Sequence, residues 1–464
     1  MNQKLEQWFH LKENHTDVKT EVIAGITTFM AMAYILAVNP SILADAGMDK
    51  GAVFTATVLA SAFATILMAL LSNYPFVLAP GMGLNAYFAY SVVIGMGYSW
   101  QMALAAVFTE GIIFIVLSVT NVREAIFNAI PMSLKHAVTV GIGLFIAFIG
   151  LQNAHVIVTG AKLVTLYSFK GAIADGSIRS VGVGVILALL GILFTGVLIA
   201  KNVKGNILWG ILGTWGVAII LELVGVYVPN PELGMYSTLP DFSSGFGIPG
   251  IMPTLGQCFK IDPSELMSFN FIVVIFSFLF VDLFDTLGTL IGVSTKADML
   301  DENGHLPKIR GALLSDALGT SAGAVFGTST TTTFVESAAG VAEGGRTGLT
   351  ALVSAALFLI ALFLSPIFLA IPSFATAPAL VVVGFLMAGS ILKIDFSDAT
   401  ESLPAFICLL IMPLAYSISE GIAFGFISYV VVNVASGKAR EKKISPLMYV
   451  LSLLFILKYI FIQT

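Results

Sequence analysis

The sequence predicts an all-α membrane protein that crosses the bilayer many times, and three observations lead to this prediction. Hydrophobic residues make up 57% of the 464 positions and charged residues 11%, against about 25% charged residues in a soluble domain. The mean hydropathy is +0.96. Apolar stretches follow one another along almost the whole chain, and two of them are interrupted at matching places by prolines or threonines.

Fourteen apolar stretches are long enough, at roughly 17–25 residues, to cross a hydrocarbon core about 30 Å thick. In order they are 21–43, 52–72, 76–95, 100–120, 132–153, 180–200, 205–228, 267–294, 309–327, 329–345, 347–371, 373–392, 402–416 and 418–436. The polar stretch 229–262 separates two blocks of seven, and an odd number of segments per block inverts the second block relative to the first. The apolar run 446–462 contains Lys458 and is left unassigned.

Positive charges support this count of segments. With the N-terminus in the cytoplasm, sixteen Lys and Arg residues fall on the cytoplasmic side and five outside, namely Lys50, Lys162, Lys170, Arg179 and Lys260. This distribution follows the positive-inside rule. A single span over 402–436 would place the basic cluster 438–443 outside, so two short spans are preferred. The polar N-terminal stretch lacks the apolar core of a signal peptide, so no cleavage is expected. Cys258 and Cys408 predict no disulfide framework.

The third segment of each block is unsuited to a continuous membrane helix. Residues 75–87 read PFVLAPGMGLNAY and residues 326–340 read FGTSTTTTFVESAAG. Prolines and runs of β-branched threonine disfavour a helix, so each segment is expected to begin extended and to become helical at Asn85 or Glu336. Non-helical backbone at membrane depth persists only beside protein or a water-filled cavity. Paired interruptions of this kind indicate the binding site of a transporter.

Seven acidic residues lie within the predicted segments, where each costs roughly a few kcal/mol unless it has a partner or a function. They are Glu110, Glu222, Asp282, Asp285, Asp316, Glu336 and Glu420. We expect Glu222 to reach the headgroups and Glu420 to lie at a helix N-terminus. Glu110 and Asp316 are expected to hold helices together through Ser, Thr or backbone N–H groups, with a direct role in a site left open.

The other three acids form the candidate site. Asp282, Asp285, Thr286 and Thr289 share one face of a helix, so this polar face is directed to a cavity or to protein rather than to lipid. Two carboxylates one turn apart repel each other, which prepares one of them to carry a proton. Glu336 lies where the second interrupted segment becomes helical, near free N–H groups and the positive end of the helix dipole. The alternative is that Glu336 only caps its own helix.

The surroundings of these acids limit the ligand. No Lys or Arg lies near Asn85, Asp282 or Glu336 in these segments, which disfavours sulfate, phosphate or a dicarboxylate. Carboxylates, an amide and hydroxyls suit a flat neutral molecule with several N–H donors and ring-nitrogen acceptors. Aromatic candidates for stacking on such a ring, each also explicable as ordinary packing, are Phe29, Tyr87, Phe88, Phe284 and Phe334.

Several other classes of protein receive no support. The sequence has no Walker A loop and no cluster of metal ligands. Its five histidines are scattered near loops, at His10, His15, His136, His155 and His305. These observations argue against a membrane ATPase and a metalloprotease. A net charge of −5 is too weak for nucleic-acid binding.

Three motifs then resemble a known family. APGMGLNAYF at 79–88, VDLFDTLG at 281–288 and TTTTFVESAAG at 330–340 are similar to the AzgA-like purine permeases of the nucleobase–cation symporter-2 family, which includes bacterial guanine/hypoxanthine permeases. The resemblance covers nearly the whole chain and implies two inverted repeats of seven segments. Segments 1–4 and 8–11 would form a core domain, and segments 5–7 and 12–14 a gate domain. The expected boundaries are a cytoplasmic segment at 1–20, core at 21–120 and 263–371, and gate at 121–262 and 372–464.

The resemblance also implies roles for individual residues. Asp282 and Glu336 are expected to hydrogen-bond a nucleobase, Asn85 matches the polar position of segment 3, and Asp285 matches the second acid of segment 8. The implied substrate-binding set is Asn85, Asp282, Thr333, Phe334, Val335 and Glu336, and the implied proton-coupling set is Asp282, Asp285 and Glu336.

The chain departs from the uracil and xanthine branches of the family in segment 8. Those branches carry an AEH-like motif whose Glu corresponds to Asp282 or to Asp285. The shorter Asp leaves room for a bicyclic base and favours a purine. A histidine implicated in proton coupling in uracil relatives falls on Thr286 or Thr289, so coupling is expected to use the acids instead.

The sequence therefore predicts a transporter and not an enzyme. The expected activity is proton-coupled uptake of purine nucleobases by an elevator-type movement, with guanine and hypoxanthine first and adenine left open. No cofactor and no metal are expected, and the proton is the coupling ion. The expected place is the cell membrane, with both termini cytoplasmic, lipid as surroundings, no nucleic acid, and a homodimer left open. The competing predictions are an anion exchanger of the same fold and an uncoupled facilitator or channel.

Overall fold

The computed structural model describes residues 2–120, 130–160, 163–242, 247–261, 266, 269–296, 299 and 306–461. Arg123 and Lys162, which entered the charge count, and His305 lie outside these ranges. The first half contains helices α1 (Asn2–Phe9), α2 (Val18–Met32), α3 (Ile35–Asp45), α4 (Lys50–Leu71), α5 (Met82–Ala86), α6 (Trp100–Thr120), α7 (Met132–Asn153), α8 (Phe169–Asp175), α9 (Val181–Ala200) and α10 (Asn206–Leu223). The second half contains α11 (Phe269–Lys296), α12 (Ile309–Phe326), α13 (Ser337–Ala342), α14 (Gly348–Ala361), α15 (Ser365–Ala370), α16 (Ser373–Ala388), α17 (Ala399–Leu414), α18 (Ile418–Ala435) and α19 (Pro446–Phe461).

Strands are short and few in the described ranges. They are β1 (Leu78–Pro80), β2 (Ile157–Gly160), β3 (Leu163–Leu166) and β4 (Thr331–Thr333). β2 and β3 form an antiparallel hairpin after α7, an element that the sequence did not predict. β1 and β4 come from opposite halves of the chain and pair with each other.

Every predicted segment contains at least one of these helices, and ten helical stretches among the described residues are long and apolar enough to cross a membrane. Shorter apolar helices are Met82–Gly95, Ala399–Leu414 and Pro446–Leu457. The first of these continues α5 as a π-helix over Tyr87–Gly95, a wider turn that is frequent at functional sites. The chain is a multi-pass helical membrane protein, as predicted, while the inverted relation of its two halves stays a prediction.

The two interrupted segments meet where β1 and β4 cross. Leu78 faces Thr333, and Pro80 faces Thr331, in an antiparallel register. The ladder extends at both ends, because the Gly81 N–H donates to the Thr330 oxygen and the Phe334 N–H donates to the Val77 oxygen, each at 3.0 Å. Each extended segment thus satisfies the backbone of the other, as non-helical chain at membrane depth requires. The predicted pair of broken helices is confirmed.

Glycines allow close contact between the longer helices. A Cβ added to Gly384 of α16 would lie 2.3 Å from the carbonyl oxygen of Gly143 in α7. A Cβ added to Gly25 of α2 would lie 2.6 Å from the Cβ of Val353 in α14. Small residues at such contacts are how membrane helices gain van der Waals packing. α7 therefore packs tightly on α16, and α2 packs tightly on α14.

Candidate functional site

The crossing strands place the starts of α5 and α13 beside α11 and the break between α2 and α3. All of Leu78–Pro80 and Thr331–Thr333 are buried. Beyond β4 the side chains become more exposed: Phe334 is 5% exposed, Val335 is 49% exposed, and the Glu336 side chain is partly exposed. Val335 and Glu336 thus form an accessible surface beside the crossing strands, and this surface is the opening of the candidate site.

Glu336 is held from the first segment of the chain. The Tyr34 hydroxyl donates to Glu336 Oε1 at 2.7 Å. Tyr34 is itself 1% exposed, and its ring lies 6.5 Å from the ring of Phe334 at an angle of 47°. No hydrogen bond from the Glu336 side chain caps α13. Its carboxylate is therefore directed to Tyr34 and the opening rather than to its own helix.

The two acids of α11 have different surroundings. Asp285 is partly exposed and lies beside the turn after β1, since a Cβ added to Gly81 would lie 3.1 Å from Asp285 Oδ2. Asp282, one turn earlier, is fully buried. Its Oδ1 lies 2.8 Å from the Thr286 hydroxyl oxygen, within hydrogen-bond distance. Asp285, rather than Asp282, is thus the accessible acid of α11, beside the crossing strands.

Thr286 is the centre of a buried polar cluster. Its Oγ1 lies 2.8 Å from Asp282 Oδ1, 2.8 Å from Asp316 Oδ1 and 2.7 Å from Thr332 Oγ1. Asp282, Thr286 and Asp316 are 0% exposed, and Thr332 is 1% exposed. The cluster therefore connects α11 and α12 to the strand β4, three residues before the apolar wall at Val335.

Asn85 supports the crossing strands and does not reach the opening. It is 0% exposed; its Nδ2 donates to the Pro80 oxygen at 3.3 Å, and its Oδ1 accepts from the Ser329 hydroxyl. Thr333 is 1% exposed, and its hydroxyl has no hydrogen-bond partner among the described residues. Asn85 and Thr333 are thus buried beside the crossing strands, and their part in substrate binding stays a prediction.

The other intramembrane acids contact hydroxyl groups. Glu110 Oε2 accepts from Thr330 Oγ1 at 2.7 Å, one residue before β4. Asp316 Oδ1 lies 2.8 Å from the Thr286 hydroxyl oxygen. Glu222, near the end of α10, accepts from Ser237 at 2.6 Å, and Glu420 lies in the first turn of α18 and accepts from Tyr459. Glu110 and Asp316 contact threonines and Glu420 lies at a helix N-terminus, as expected, whereas Glu222 bonds Ser237 and Thr238 of the following loop, and its reach to the headgroups stays a prediction.

Most aromatic candidates for stacking contact other aromatic rings instead. Phe29 lies 5.2 Å from Phe358, both Tyr87 and Phe88 lie against Phe278, and Phe284 lies 6.4 Å from Phe280. Phe334 is the candidate that neighbours the site carboxylate. No group of three or more His, Cys, Asp or Glu side chains in the described residues is placed to hold a metal ion.

Sequence reasoning missed three residues of the site. Tyr34 stands in an apolar run, Ser329 and Thr332 in a run of hydroxyl residues, and nothing in the spacing separates them from their neighbours. Only the folded structure shows that Tyr34 contacts Glu336, that Ser329 contacts Asn85 and that Thr332 contacts Thr286. The one available signal was a tyrosine hydroxyl in a membrane segment, which needs a partner when buried.

Comparison with known proteins now decides the family. Residues 19–424 match the model Xan_ur_permease, described as a permease family. The chain belongs to this family. The permease is 46% identical to the guanine/hypoxanthine permease PbuO of Bacillus subtilis, over 97% of this chain and 99% of that protein. It is 44% identical to the guanine/hypoxanthine permease PbuG of the same organism, over 99% and 100%.

A third relative is the adenine permease AdeP of Escherichia coli, 42% identical over 99% of this permease and 96% of that protein. All three relatives are named as transporters, so the prediction that the chain is not an enzyme is confirmed. The resemblance to the nucleobase–cation symporter-2 family is confirmed as well.

Solved structures share the fold of this permease. The transmembrane domain of the cyanobacterial bicarbonate transporter BicA superposes with a TM-score of 0.62 at 14% identity, over 88% of this chain and 97% of that one. The murine anion transporter Slc26a9 in its inward-facing state gives 0.61 at 11% identity, over 90% and 68%. The fold class is therefore that of a helical membrane transporter.

Proposed function

We propose that this permease takes up purine nucleobases, with guanine and hypoxanthine as preferred substrates, together with protons. The observation that carries the proposal is the pair of partly exposed carboxylates, Asp285 and Glu336, on the two sides of the crossing strands. Relatives named as guanine/hypoxanthine and adenine permeases at 42–46% identity support the substrate class.

The chemistry of this pair suits a purine. An ionised carboxylate is purely an acceptor, and a purine such as guanine presents N–H donors along more than one edge. Hydrogen bonds from such donors to carboxylates are about twice as strong as neutral ones. Val335, 49% exposed, supplies an apolar wall beside the acids, against which a flat ring can lie.

The geometry favours a division of roles among the acids of α11. Asp285 is partly exposed beside Gly81, so we assign it to the base together with Glu336. Asp282 is fully buried and bonded to Thr286, so we assign it to the proton. This reverses the roles that the motifs implied for Asp282 and Asp285, while Glu336 keeps the role it had.

The buried cluster around Thr286 supports proton coupling, because its hydrogen bonds require more hydrogen atoms than the Thr hydroxyls alone supply. A hydroxyl has one hydrogen and two lone pairs, and Thr286 Oγ1 lies within 2.8 Å of Asp282, Asp316 and Thr332. Thr286 donates to one partner, so the other two must donate to it. At least one of the two carboxyl groups therefore carries a proton when all three bonds are formed. The other acids nearby in sequence or through bonding are Asp285 on α11, Glu336 after β4, which bonds Tyr34, and Glu110, which bonds Thr330 next to β4.

The proposal extends to movement and location. A core of segments 1–4 and 8–11 would carry the site across the membrane against a gate of segments 5–7 and 12–14. The protein would lie in the cell membrane with both termini in the cytoplasm. A homodimer is left open.

An anion exchanger is the second candidate because BicA and Slc26a9 share the fold. The site argues against it, since partly exposed carboxylates repel anions. An uncoupled facilitator is the third candidate, and the protonated cluster argues against it.

The test uses purified permease in proteoliposomes and radiolabelled hypoxanthine. We expect uptake against a gradient when the outside is made acidic, loss of that accumulation with a protonophore, and inhibition by unlabelled guanine. Exchange of internal for external hypoxanthine without an effect of pH would support the facilitator. Uptake of bicarbonate, with no response to any purine, would overturn the proposal.

A further inference from the structure

Tyr34 interrupts the first membrane segment. The helix stops at Met32 and resumes at Ile35, leaving Ala33 and Tyr34 between α2 and α3. The Tyr34 side chain is 1% exposed, so its hydroxyl cannot rely on bulk water for a partner. That hydroxyl reaches 302 positions along the sequence to bond Glu336 Oε1 at 2.7 Å. The first segment therefore contributes one polar atom, the Tyr34 hydroxyl, to the site.

The bond leaves the two oxygens of Glu336 in different situations. A phenol has one hydrogen to donate, and Tyr34 gives it to Oε1, which restrains the orientation of the whole carboxylate. A glutamate has three rotatable bonds, and ordering such a side chain at the moment of binding costs affinity. Contact of the Tyr34 ring with Phe334, 6.5 Å between centroids, holds the phenol in place from the other side.

We propose that Tyr34 is a positioning residue for substrate recognition, an inference that rests on the proposed binding of a purine at Glu336. Tyr34 bonds one oxygen of Glu336 in advance, so the site presents a carboxylate acceptor fixed in one orientation instead of a mobile one. A fixed acceptor selects among bases by the position of their N–H donors. Tyr34 thus acts on selectivity between purines, through Glu336, without touching the base.

The test compares Tyr34→Phe with the wild type in binding of radiolabelled hypoxanthine, with guanine and adenine as competitors. Removing the hydroxyl should weaken hypoxanthine binding about tenfold, as expected for a lost hydrogen bond to a charged group. The ratio between the best-bound and the worst-bound base should shrink as well. Loss of a merely structural bond would lower the melting temperature and the amount of active protein and leave this ratio unchanged.

Tyr227→Phe is the matched control. Tyr227 is also 1% exposed, and its hydroxyl donates to the Tyr236 oxygen at 2.8 Å, outside the site. Its loss should alter stability and leave selectivity unchanged. If Tyr34→Phe does not fold, Glu336→Asp withdraws the carboxylate from Tyr34 and should shrink the same ratio.

Unchanged affinities and an unchanged ratio in either folded variant, beside a wild type that binds purines, would overturn the role of Tyr34 alone. A wild type that binds no purine would overturn the proposed function and this inference together.

Discussion

Gly81 shows how little room the site leaves at a single residue. It follows β1 and lies between the strand β4 and Asp285. A Cβ at this position would lie 2.6 Å from Thr332 Cγ2 and 3.1 Å from Asp285 Oδ2. Thr332 belongs to a buried strand and to the Thr286 cluster, so it cannot move aside without breaking other bonds. Glycine is required here because a Cβ has no room, and not because of the backbone conformation: any residue can adopt its φ of −68°.

Gly81→Ala is therefore expected to displace Asp285 or β4 and to weaken hypoxanthine binding about tenfold or more. Overpacking of this kind costs about 1–3 kcal/mol. The measurement is equilibrium binding to the purified variant. The control is Gly196→Ala in α9, where an added Cβ meets nothing within 4 Å; equal losses in both variants would contradict the argument.

The Thr286 cluster gives a second prediction at this scale. Thr286→Val keeps the shape of the side chain and removes the hydroxyl that joins Asp282, Asp316 and Thr332. We expect hypoxanthine exchange to continue and accumulation driven by a proton gradient to fall at least tenfold, because the protonated carboxyl loses its partner. Thr286→Ser keeps a hydroxyl and should retain accumulation. Normal accumulation by Thr286→Val would show that the cluster does not hold the coupling proton.

The contacts of individual residues in the site were the feature least predictable from the sequence. The motifs identified the polar face of α11, but they could not tell which acid is exposed. The difference arises because Thr286 and Asp316 close over Asp282, and Asp316 comes from another helix. A contact between two helices does not alter the spacing of polar and apolar residues along either helix, so it cannot be predicted from that spacing.

At the scale of elements, α5 contacts α7 at a glycine. A Cβ added to Gly83 would lie 2.7 Å from Cγ2 of Ile142 in α7 and 3.9 Å from Cδ1 of Ile418 in α18. By the proposed division, α5 belongs to the core and the two isoleucines belong to the gate. At Gly83 the broken helix thus packs closely against the part of the molecule past which it would move.

Gly83→Ala should therefore slow transport several-fold while leaving hypoxanthine binding within about twofold. The added methyl group collides with Ile142 rather than with the site. Ile142→Ala in the same chain removes the obstacle and should restore the rate. The measurement is initial uptake beside equilibrium binding in detergent. No recovery in the double variant would mean that the methyl group acts elsewhere, within α5 itself.

Another link between elements lies outside the membrane segments. Asp398 caps α17 and accepts from Lys442, beyond the end of α18, at 2.6 Å. This hydrogen bond holds the pKa of Asp398 well below its ordinary value, with further bonds from Thr400 acting in the same direction. A lowered carboxyl pKa stabilises the fold above the ordinary value and loses this effect as the pH falls through the lowered one.

Lys442→Met should consequently lower the melting temperature by a constant amount above about pH 5, and by less as the pH falls below about 4. Melting curves of both proteins across this range provide the measurement. Lys438, whose Nζ is 3.6 Å from Asp398, gives the matched variant Lys438→Met, with a smaller effect expected. A difference between wild type and Lys442→Met that grows on acidification would contradict the assignment.

The positions of the helices and strands were predicted better than the contacts between them. Apolar length located the helices of all fourteen segments, because the bilayer fixes how long such a stretch must be. The prolines and threonines located β1 and β4 within their segments. The hairpin β2–β3 was missed since Ile157–Gly160 and Leu163–Leu166 are short and apolar and follow directly on α7.

At the scale of the whole molecule, one end of the structure is closed by contacts between the two proposed domains. The Tyr90 hydroxyl donates to Asp45 at 2.7 Å and accepts from Asn153 of α7 at 2.7 Å. Beside them the Ser91 hydroxyl donates to the Tyr416 oxygen at 3.1 Å. With the N-terminus in the cytoplasm, as proposed, these contacts lie on the external side, and the structure is closed there.

Asn153→Ala should loosen this closure and expose the site to the outside more often. The measurement is labelling of Val335→Cys by an impermeant maleimide added to whole cells, with Cys258 and Cys408 replaced by serine. We expect labelling to become about tenfold faster, as loss of a hydrogen bond of about 1 kcal/mol or more allows. Asn433→Ala, which breaks bonds between α17 and α18, should not change it. Equal labelling rates in Asn153→Ala and Asn433→Ala would show that the bond of Asn153 does not close the external side.

The crossing of β1 and β4 has a consequence for how the protein is made. Leu78–Pro80 is synthesised about 250 residues before Thr331–Thr333, a delay of roughly 10–50 s at the usual rates of translation. Until then its N–H and C=O groups have no strand to pair with, and each unpaired group is costly in lipid. The nascent first half of the chain must therefore keep Leu78–Pro80 in contact with water or with a chaperone. The binding site can therefore form only in chains that have been synthesised at least as far as Thr331–Thr333.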